Sequence, residues 1–92
     1  MVLEISNEHD FFKIKGELTR KSLPLFKETF RNIFDKLDSV ILSIEGLKGI
    51  DRYGVNAIAQ LHNEALNRKK KLSIIGLGHK EVFHHFSEND AA

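Results

Sequence analysis

The chain has 92 residues and a net charge of +1, with 41% hydrophobic and 29% charged residues. These values predict one ordinary globular domain over residues 1–92, and they give no reason to expect bulk attraction to nucleic acid or acidic membranes. The sequence contains no cysteine, which excludes disulfides and thiolate metal sites. It shows no signal peptide and no apolar run of about 18 residues, so we expect a cytoplasmic protein.

The N-terminal segment predicts a β-hairpin. Residues 2–6 form a short strand, and turn-forming residues at 7–10 return the chain. In the next strand Phe12, Ile14 and Leu18 alternate with charged residues, which is the period of a strand with one wet face. Because Gly16 lies within this strand, we expect a bulge or a bend there.

A long amphipathic helix is predicted after the hairpin. It begins near Ser22 and has Pro24 in its first turn, where a missing N–H group costs nothing. Its apolar residues recur at steps of three and four over four turns, which predicts one continuous helix with a single core-facing stripe. That stripe consists of Leu23, Phe26, Phe30, Ile33, Phe34 and Leu37.

The centre of the predicted fold is a strand, a tight connection and a second helix. Residues 39–45 contain four closely spaced apolar residues, three of them β-branched, which is typical of a strand covered on both faces. Residues 46–51 form the connection, and the helix opens at Arg52 and folds back onto the strand. Its apolar stripe consists of Val55, Ile58, Ala59, His62, Ala65 and Leu66.

The C-terminal part completes an α/β pattern. The basic run at residues 68–71 ends the second helix, residues 72–76 form another buried strand, and Val82 and Phe86 are the inward positions of a last short helix. The order is β-β-α-β-α-β-α, with helices packed on the sheet and the later strands parallel through right-handed crossovers. This topology places the connection at residues 46–51 at the carboxyl edge of the sheet, where open α/β folds expose their working groups.

Asp51 immediately precedes the second helix and has the residue type of an N-cap. Its carboxylate is expected to accept hydrogen bonds from the N–H groups of Tyr53 or Gly54. Whether it also takes part in recognition stays open on these grounds. Gly54 is unusual inside a first helical turn unless another backbone approaches closely or a special dihedral is needed.

The wet face of the second helix carries amides more than charge pairs. Amides hydrogen-bond a partner without a large desolvation cost, so this face, together with Arg52 and Tyr53, is a candidate protein interface. A neutral wet face without a partner is the alternative. The residues of this face are Asn56, Gln60, Asn63, Glu64 and Asn67.

No motif in the sequence predicts catalysis, a cofactor or a metal. A phosphate-binding GxxxxGK[ST] loop and a nucleophile elbow are both missing. His79, His84 and His85 lack the i, i+4 spacing that puts two imidazoles on one helical face, and His62 is more typical of a hydrogen-bonded core residue than of a ligand. The run at residues 68–71 fits either a nucleic-acid patch or cations at a helix C-terminus, and no interleaved aromatic residues support the patch.

Several segments together resemble a STAS domain, the fold of bacterial anti-sigma-factor antagonists and of the cytoplasmic tail of sulfate transporters. The resemblance extends from about residue 12 to about residue 86. The segments that carry it are Gly16-Glu-Leu18, the run Val40-Ile-Leu-Ser-Ile-Glu-Gly-Leu-Lys-Gly-Ile-Asp51, Gly54 three residues on, the apolar helix, and Leu72-Ser-Ile-Ile-Gly76.

The resemblance implies a small non-catalytic module of signalling and transcription regulation. Such a module binds an anti-sigma factor or serine kinase through the Asp-x-x-Gly turn and the following helix, and here Asp51 and Gly54 match that motif. In antagonists of the sporulation and stress type, the residue after the Asp is a Ser or Thr that the kinase phosphorylates. Arg52 occupies that position in this chain, so no phosphorylation is expected there.

The resemblance also implies an alternative partner. The sequence ends after its third predicted helix and looks like a short form that lacks the last strand and helix of many antagonists. Short members resemble the STAS subunit that docks on the ATPase of lipid-asymmetry transporters, which makes an ABC ATPase the alternative partner. The resemblance gives no reason to expect nucleic-acid binding or membrane insertion, and it leaves the oligomeric state open.

Overall fold

One mixed sheet of four strands carries the fold. The computed structural model describes residues 2–76, and within them the strand order is β1-β2-β3-β4, with β1 antiparallel to β2 and the other pairs parallel. The predicted order of elements is confirmed as far as β4, whereas the predicted last helix lies outside the described residues. The elements are β1 (Glu4–Glu8), β2 (Phe11–Leu18), α1 (Leu23–Phe30), α2 (Ile33–Lys36), β3 (Ser39–Ile50), α3 (Arg52–Asn67) and β4 (Lys71–Ile75).

The core lies between the sheet and these helices. Because β2, β3 and β4 are parallel neighbours and such crossovers are right-handed, both helical connections cover the same face of the sheet. On that face, Val40, Leu42 and Ile44 of β3 have no exposed surface. On the opposite face Ile41 is half-buried and Glu45 is exposed. Within residues 2–76, β3 is therefore covered fully on one face and only in part on the other, whereas the sequence predicted cover on both faces.

Two helices replace the continuous helix predicted over residues 22–37. Arg31 is extended, with φ −62° and ψ 127°, and Asn32 is left-handed, with φ 60° and ψ 22°. Asparagine adopts this left-handed conformation more readily than most residues, so the helix is interrupted at Asn32. Phe30, Ile33 and Phe34 are nevertheless all buried as predicted. The apolar period thus identified the inward residues, but the prediction of one unbroken helix is wrong.

β3 is longer than predicted. It passes through Gly46 and Gly49 to Ile50, because β2 pairs with it from Ile41 to Ile50 and supplies backbone partners beyond the predicted end of the strand. The tight connection predicted for residues 46–51 is therefore mostly strand. The irregularity predicted at Gly16 is confirmed: this residue has φ +92°, and the register between β2 and β3 shifts directly after it.

α3 begins at Arg52 as predicted, and most of its predicted stripe is inward. Leu66 is the exception, with 62% of its surface exposed, while Leu61 is buried instead. A turn of 100° per residue places Leu61 just outside the predicted stripe, next to Ala65, so the buried face is wider than predicted. Leu66 lies within the stripe by angle, but it belongs to the last turn of α3, which ends at Asn67. The other predicted stripe positions are buried or partly buried, namely Val55, Ile58, Ala59, His62 and Ala65.

The basic run at residues 68–71 ties the end of α3 to α2 and to the connection between α2 and β3. Arg68 Nη2 donates to Asp35 Oδ1, and Lys70 Nζ donates to Asp38 Oδ1 at 2.7 Å. The hydrogen bond and charge of Lys70 hold the pKa of Asp38 below its ordinary value. Two of the run's four cations thus have acidic partners within residues 2–76, which favours a structural role for the run over a nucleic-acid patch.

Candidate functional site

Two loops meet at the carboxyl edge of the sheet. β2 ends at Leu18 and leads towards α1, and β3 ends at Ile50 and leads into α3. Because β2 and β3 are parallel neighbours, the residues that follow them lie side by side at this edge. Asp51 and the first turn of α3 lie in the second of these loops.

The Asp51 carboxylate joins the two loops. Its Oδ1 accepts a hydrogen bond from the Gly54 N–H at 2.9 Å, and its Oδ2 accepts one from the Arg20 N–H at 3.0 Å. The Asp51 N–H in turn donates to the Leu18 carbonyl oxygen at 3.3 Å. The predicted N-cap is confirmed, with Gly54 as donor. The contact with Arg20 adds a second role, because it holds the loop after β2 against the start of α3.

The environment of Asp51 lowers its pKa. Partial burial on its own raises this pKa, but the backbone N–H groups of Gly54, Arg20 and Tyr53 stabilise the charged carboxylate and outweigh the burial. The pKa of Asp51 therefore lies below its ordinary value, and the cap is negatively charged at neutral pH.

We expect the Asp51→Ala variant to lose about 1 to 2 kcal/mol of unfolding free energy at pH 7, because an N-cap and its loop contact disappear together. Urea denaturation followed by circular dichroism measures this loss. Since the folded pKa is depressed, the contribution of Asp51 is complete above the unfolded pKa of about 4 and disappears as the pH falls through the lower folded pKa. The difference between wild type and variant is thus expected to shrink between pH 7 and about pH 3.

A matched control for this measurement is Asp35→Ala. Asp35 is an exposed carboxylate whose described partner is the Arg68 side chain, and it caps no helix. We expect a smaller loss of unfolding free energy than for Asp51→Ala, since exposed ion pairs contribute little. Equal losses at the two positions would contradict a special role for the Asp51 carboxylate.

Gly54 brings α3 into direct contact with the ends of β2 and β3. A Cβ atom at this position would collide with the Leu18 carbonyl oxygen and would lie 2.8 Å from Cγ1 of Ile50. Contacts this short do not occur in folded proteins, so a side chain here would push the helix off the sheet. The prediction that Gly54 permits a close approach is confirmed.

Two arginines flank the Tyr53 ring. The Arg20 Cζ atom lies 5.8 Å from the ring centroid and the Arg52 Cζ atom lies 5.6 Å from it, both within range of a cation–π interaction. Tyr53 is 39% exposed, and both arginines are exposed. Neither guanidinium forms an ion pair with a residue in the described range 2–76.

Sequence reasoning did not identify Arg20. No local pattern marks Arg20 as a site residue, because it lies 31 residues before Asp51 and only the parallel pairing of β2 with β3 brings the two loops together. The sequence predicted parallel later strands, but it did not predict that β2 and β3 are neighbours, and this pairing is what places the residues after Leu18 next to those after Ile50.

The predicted wet face of α3 continues from this turn. Asn56 and Gln60 are exposed, and a rotation of 100° per residue puts them on the same side of the helix as Arg52 and Tyr53. Glu64, also predicted for this face, is half-buried. Of the six residues expected to bind a partner, Arg52, Tyr53, Asn56 and Gln60 thus form one exposed strip, while Asp51 and Gly54 fix the backbone of the turn.

A shallow groove of about 370 Å³ runs beside this strip, between α1 and α3. Its walls include Phe30 and Lys27 from α1 and Gln60 and Leu61 from α3. Gln60 thus belongs both to the wet face and to the groove.

The described part of the chain carries neither a metal cluster nor a membrane span. Within residues 2–76, no group of three His, Cys, Asp or Glu side chains is placed to hold a metal ion. No helix in the same range has the length and the apolar composition needed to cross a bilayer. His79, His84 and His85 lie outside the described residues.

A mixed four-stranded sheet with helical crossovers and a capped turn at its carboxyl edge defines a small α/β module. A family model described as the STAS domain matches residues 1–88, and the chain therefore belongs to the STAS family. No curated protein matches the chain.

Solved structures share the fold at low sequence identity. The anti-sigma factor antagonist SpoIIAA, in its unphosphorylated form, superposes with a TM-score of 0.63 at 17% identity, covering 78% of this chain and 70% of that one. An uncharacterised DUF3478-family protein from Shewanella loihica with a SpoIIAA-like fold gives a TM-score of 0.57 at 18% identity. The superposition covers 98% of this chain and 77% of that protein. Mglu superposes with a TM-score of 0.66 at 13% identity. The superposition covers 83% of this chain but only 20% of the Mglu chain. These likenesses show the fold alone.

Proposed function

We propose that this chain is a non-catalytic regulatory module of the anti-sigma-factor antagonist type, which acts in the cytoplasm by binding a partner protein. It docks the partner through the turn formed by Asp51, Arg52, Tyr53 and Gly54 and through the adjoining face of α3. Membership of the STAS family and the fold shared with the antagonist SpoIIAA support this proposal.

The observation that carries the proposal is the combination of a fixed backbone with exposed recognition side chains. Asp51 and Gly54 hold the turn against both strands, so little ordering of the backbone remains for the binding step. Tyrosine and arginine, the residue types of Tyr53 and Arg52, are enriched among the side chains that dominate binding energy. The amides of Asn56 and Gln60 extend this surface along α3.

The partner is proposed to be an anti-sigma factor or a serine kinase of that type. In antagonists that this chain resembles, a phosphorylated Ser or Thr follows the Asp and controls release. Arg52 stands in its place, and a guanidinium does not accept phosphate by that chemistry. The module proposed here therefore competes for its partner without a phosphoryl switch at that position.

Site-specific photo-cross-linking tests the docking surface. A photoreactive amino acid replaces Asn56 or Gln60 in separate variants, and Lys36, exposed on α2 at the opposite edge of the sheet, is the control position. After illumination in the cells of origin, mass spectrometry identifies the cross-linked protein and the cross-linked peptide.

Cross-links from both α3 positions to one anti-sigma factor or serine kinase, without the same cross-link from the control position, are the expected result. The same pattern with an ABC ATPase would instead assign the chain to the transporter-accessory alternative. Cross-links that occur equally at all three positions would contradict a docking surface on α3.

A further inference from the structure

The turn at the carboxyl edge carries two exposed arginines that form no ion pair within the described residues. Arg20 lies on the loop after β2 and Arg52 on the turn after β3, both beside the Tyr53 ring. Neither has an acidic partner within residues 2–76. Lys21, next in the chain after Arg20, is exposed as well. The Asp51 carboxylate, in the same turn, already accepts hydrogen bonds from two backbone N–H groups.

The Tyr53 ring lies within cation–π range of both arginines. A guanidinium held near an aromatic ring interacts through its π face, which leaves the N–H donors in its plane available to another group. Those donors match the two oxygens of a carboxylate in a bidentate pair. Arg20 and Arg52 approach one ring from two different loops, so the surface offers two such sites side by side.

We propose that Arg20, Arg52 and Tyr53 bind an acidic segment of the partner protein, whose Asp or Glu carboxylates pair with the two guanidinium groups. This inference rests on the proposed function and specifies the chemistry of the partner. Charge complementarity of this kind raises the rate of docking and also contributes a modest share of the affinity.

Selection of random peptides displayed on phage tests this inference with the intact chain. The immobilised wild-type protein selects binders, whose sequences and affinities are then determined. The double variant Arg20→Gln and Arg52→Gln removes both charges but keeps polar side chains. The control Lys36→Gln and Lys71→Gln removes the same charge from exposed positions at the opposite edge of the sheet.

We expect the selected peptides to be enriched in Asp and Glu. Their affinity should fall by about fivefold for each arginine removed, since an exposed charge pair contributes up to about that factor. The lysine control should change the affinity by less than twofold. Binding to the wild type should also weaken as salt is raised from about 0.05 to 0.5 M, a measurement that needs no variant to fold.

The two proposals fail in distinguishable ways. Peptides that bind at the turn, as shown by loss of binding in a Tyr53→Ala variant, but that carry no acidic excess and tolerate the arginine changes, would overturn the acidic partner while the docking surface stands. Peptides whose binding is unaffected by changes at Tyr53, Asn56 and Gln60 would overturn both proposals.

Discussion

The Gly54→Ala variant is expected to lose about 2 to 3 kcal/mol of unfolding free energy, although it adds only one methyl group. The added Cβ would collide with the Leu18 carbonyl oxygen, and that oxygen also accepts the Asp51 N–H that anchors the turn. Relief of the collision requires a shift of α3 away from β2 and β3. Such a shift weakens the hydrogen bonds of the turn and the packing of the first helical turn together, which is why the expected loss is large.

Gly49→Ala is the matched control. At Gly49, in β3 beside β2, an added Cβ would meet Glu17 Oε2 at 3.4 Å, an ordinary contact with the end of a flexible side chain. We expect this variant to change the unfolding free energy by less than about 1 kcal/mol. Urea unfolding followed by circular dichroism measures both. Equal stabilities would show that α3 does not approach β2 as closely as the structure places it.

The sequence was sufficient to predict features that depend on local chemistry or on the spacing of apolar residues. The cap at Asp51 follows from the preference of a carboxylate for the free N–H groups of a first helical turn. The need for Gly54 follows from the absence of a Cβ atom, and the start of α3 at Arg52 follows from the apolar stripe behind it. Parallel pairing of the later strands follows from the alternation of strands and helices.

Features that depend on distant residues were not available from the sequence. The length of β3 is set by the strand beside it, since its glycines turn or stay extended according to whether β2 offers backbone partners. The break at Asn32 depends on a left-handed residue that the surrounding packing tolerates. Arg20 reaches the site only because two loops converge at one edge of the sheet. Each of these is a tertiary effect that local patterns do not encode.

The Phe34→Ala variant has the largest expected effect on stability. Phe34 is 1% exposed and belongs to the core cluster, and α2, which carries it, has only four residues. Helices this short do not persist through their own hydrogen bonds, so buried side chains must hold α2 in place. Truncation of a buried phenylalanine to alanine costs about 3 to 5 kcal/mol, because it removes apolar contacts and leaves a cavity.

Phe11→Ala is the control for this loss. Phe11 pairs in register with Ile41 on the opposite face of the sheet and is only half-buried, so we expect its truncation to cost less than half as much as that of Phe34. Because the expected loss is a large share of the 5 to 15 kcal/mol that stabilises a typical domain, Phe34→Ala is measured together with Phe34→Leu, for which we expect about 1 kcal/mol. Urea unfolding of all three variants gives the comparison.

A loss at Phe34 no greater than that at Phe11 would contradict the anchoring of α2 by its core side chain. A larger loss would explain why an interrupted helix suffices in this fold. The break at Asn32 gives up backbone hydrogen bonds of a continuous helix, and the burial of Phe34 beyond the break offsets that cost. Burial of the apolar side chains on both sides of Asn32 therefore determines the backbone path between α1 and β3.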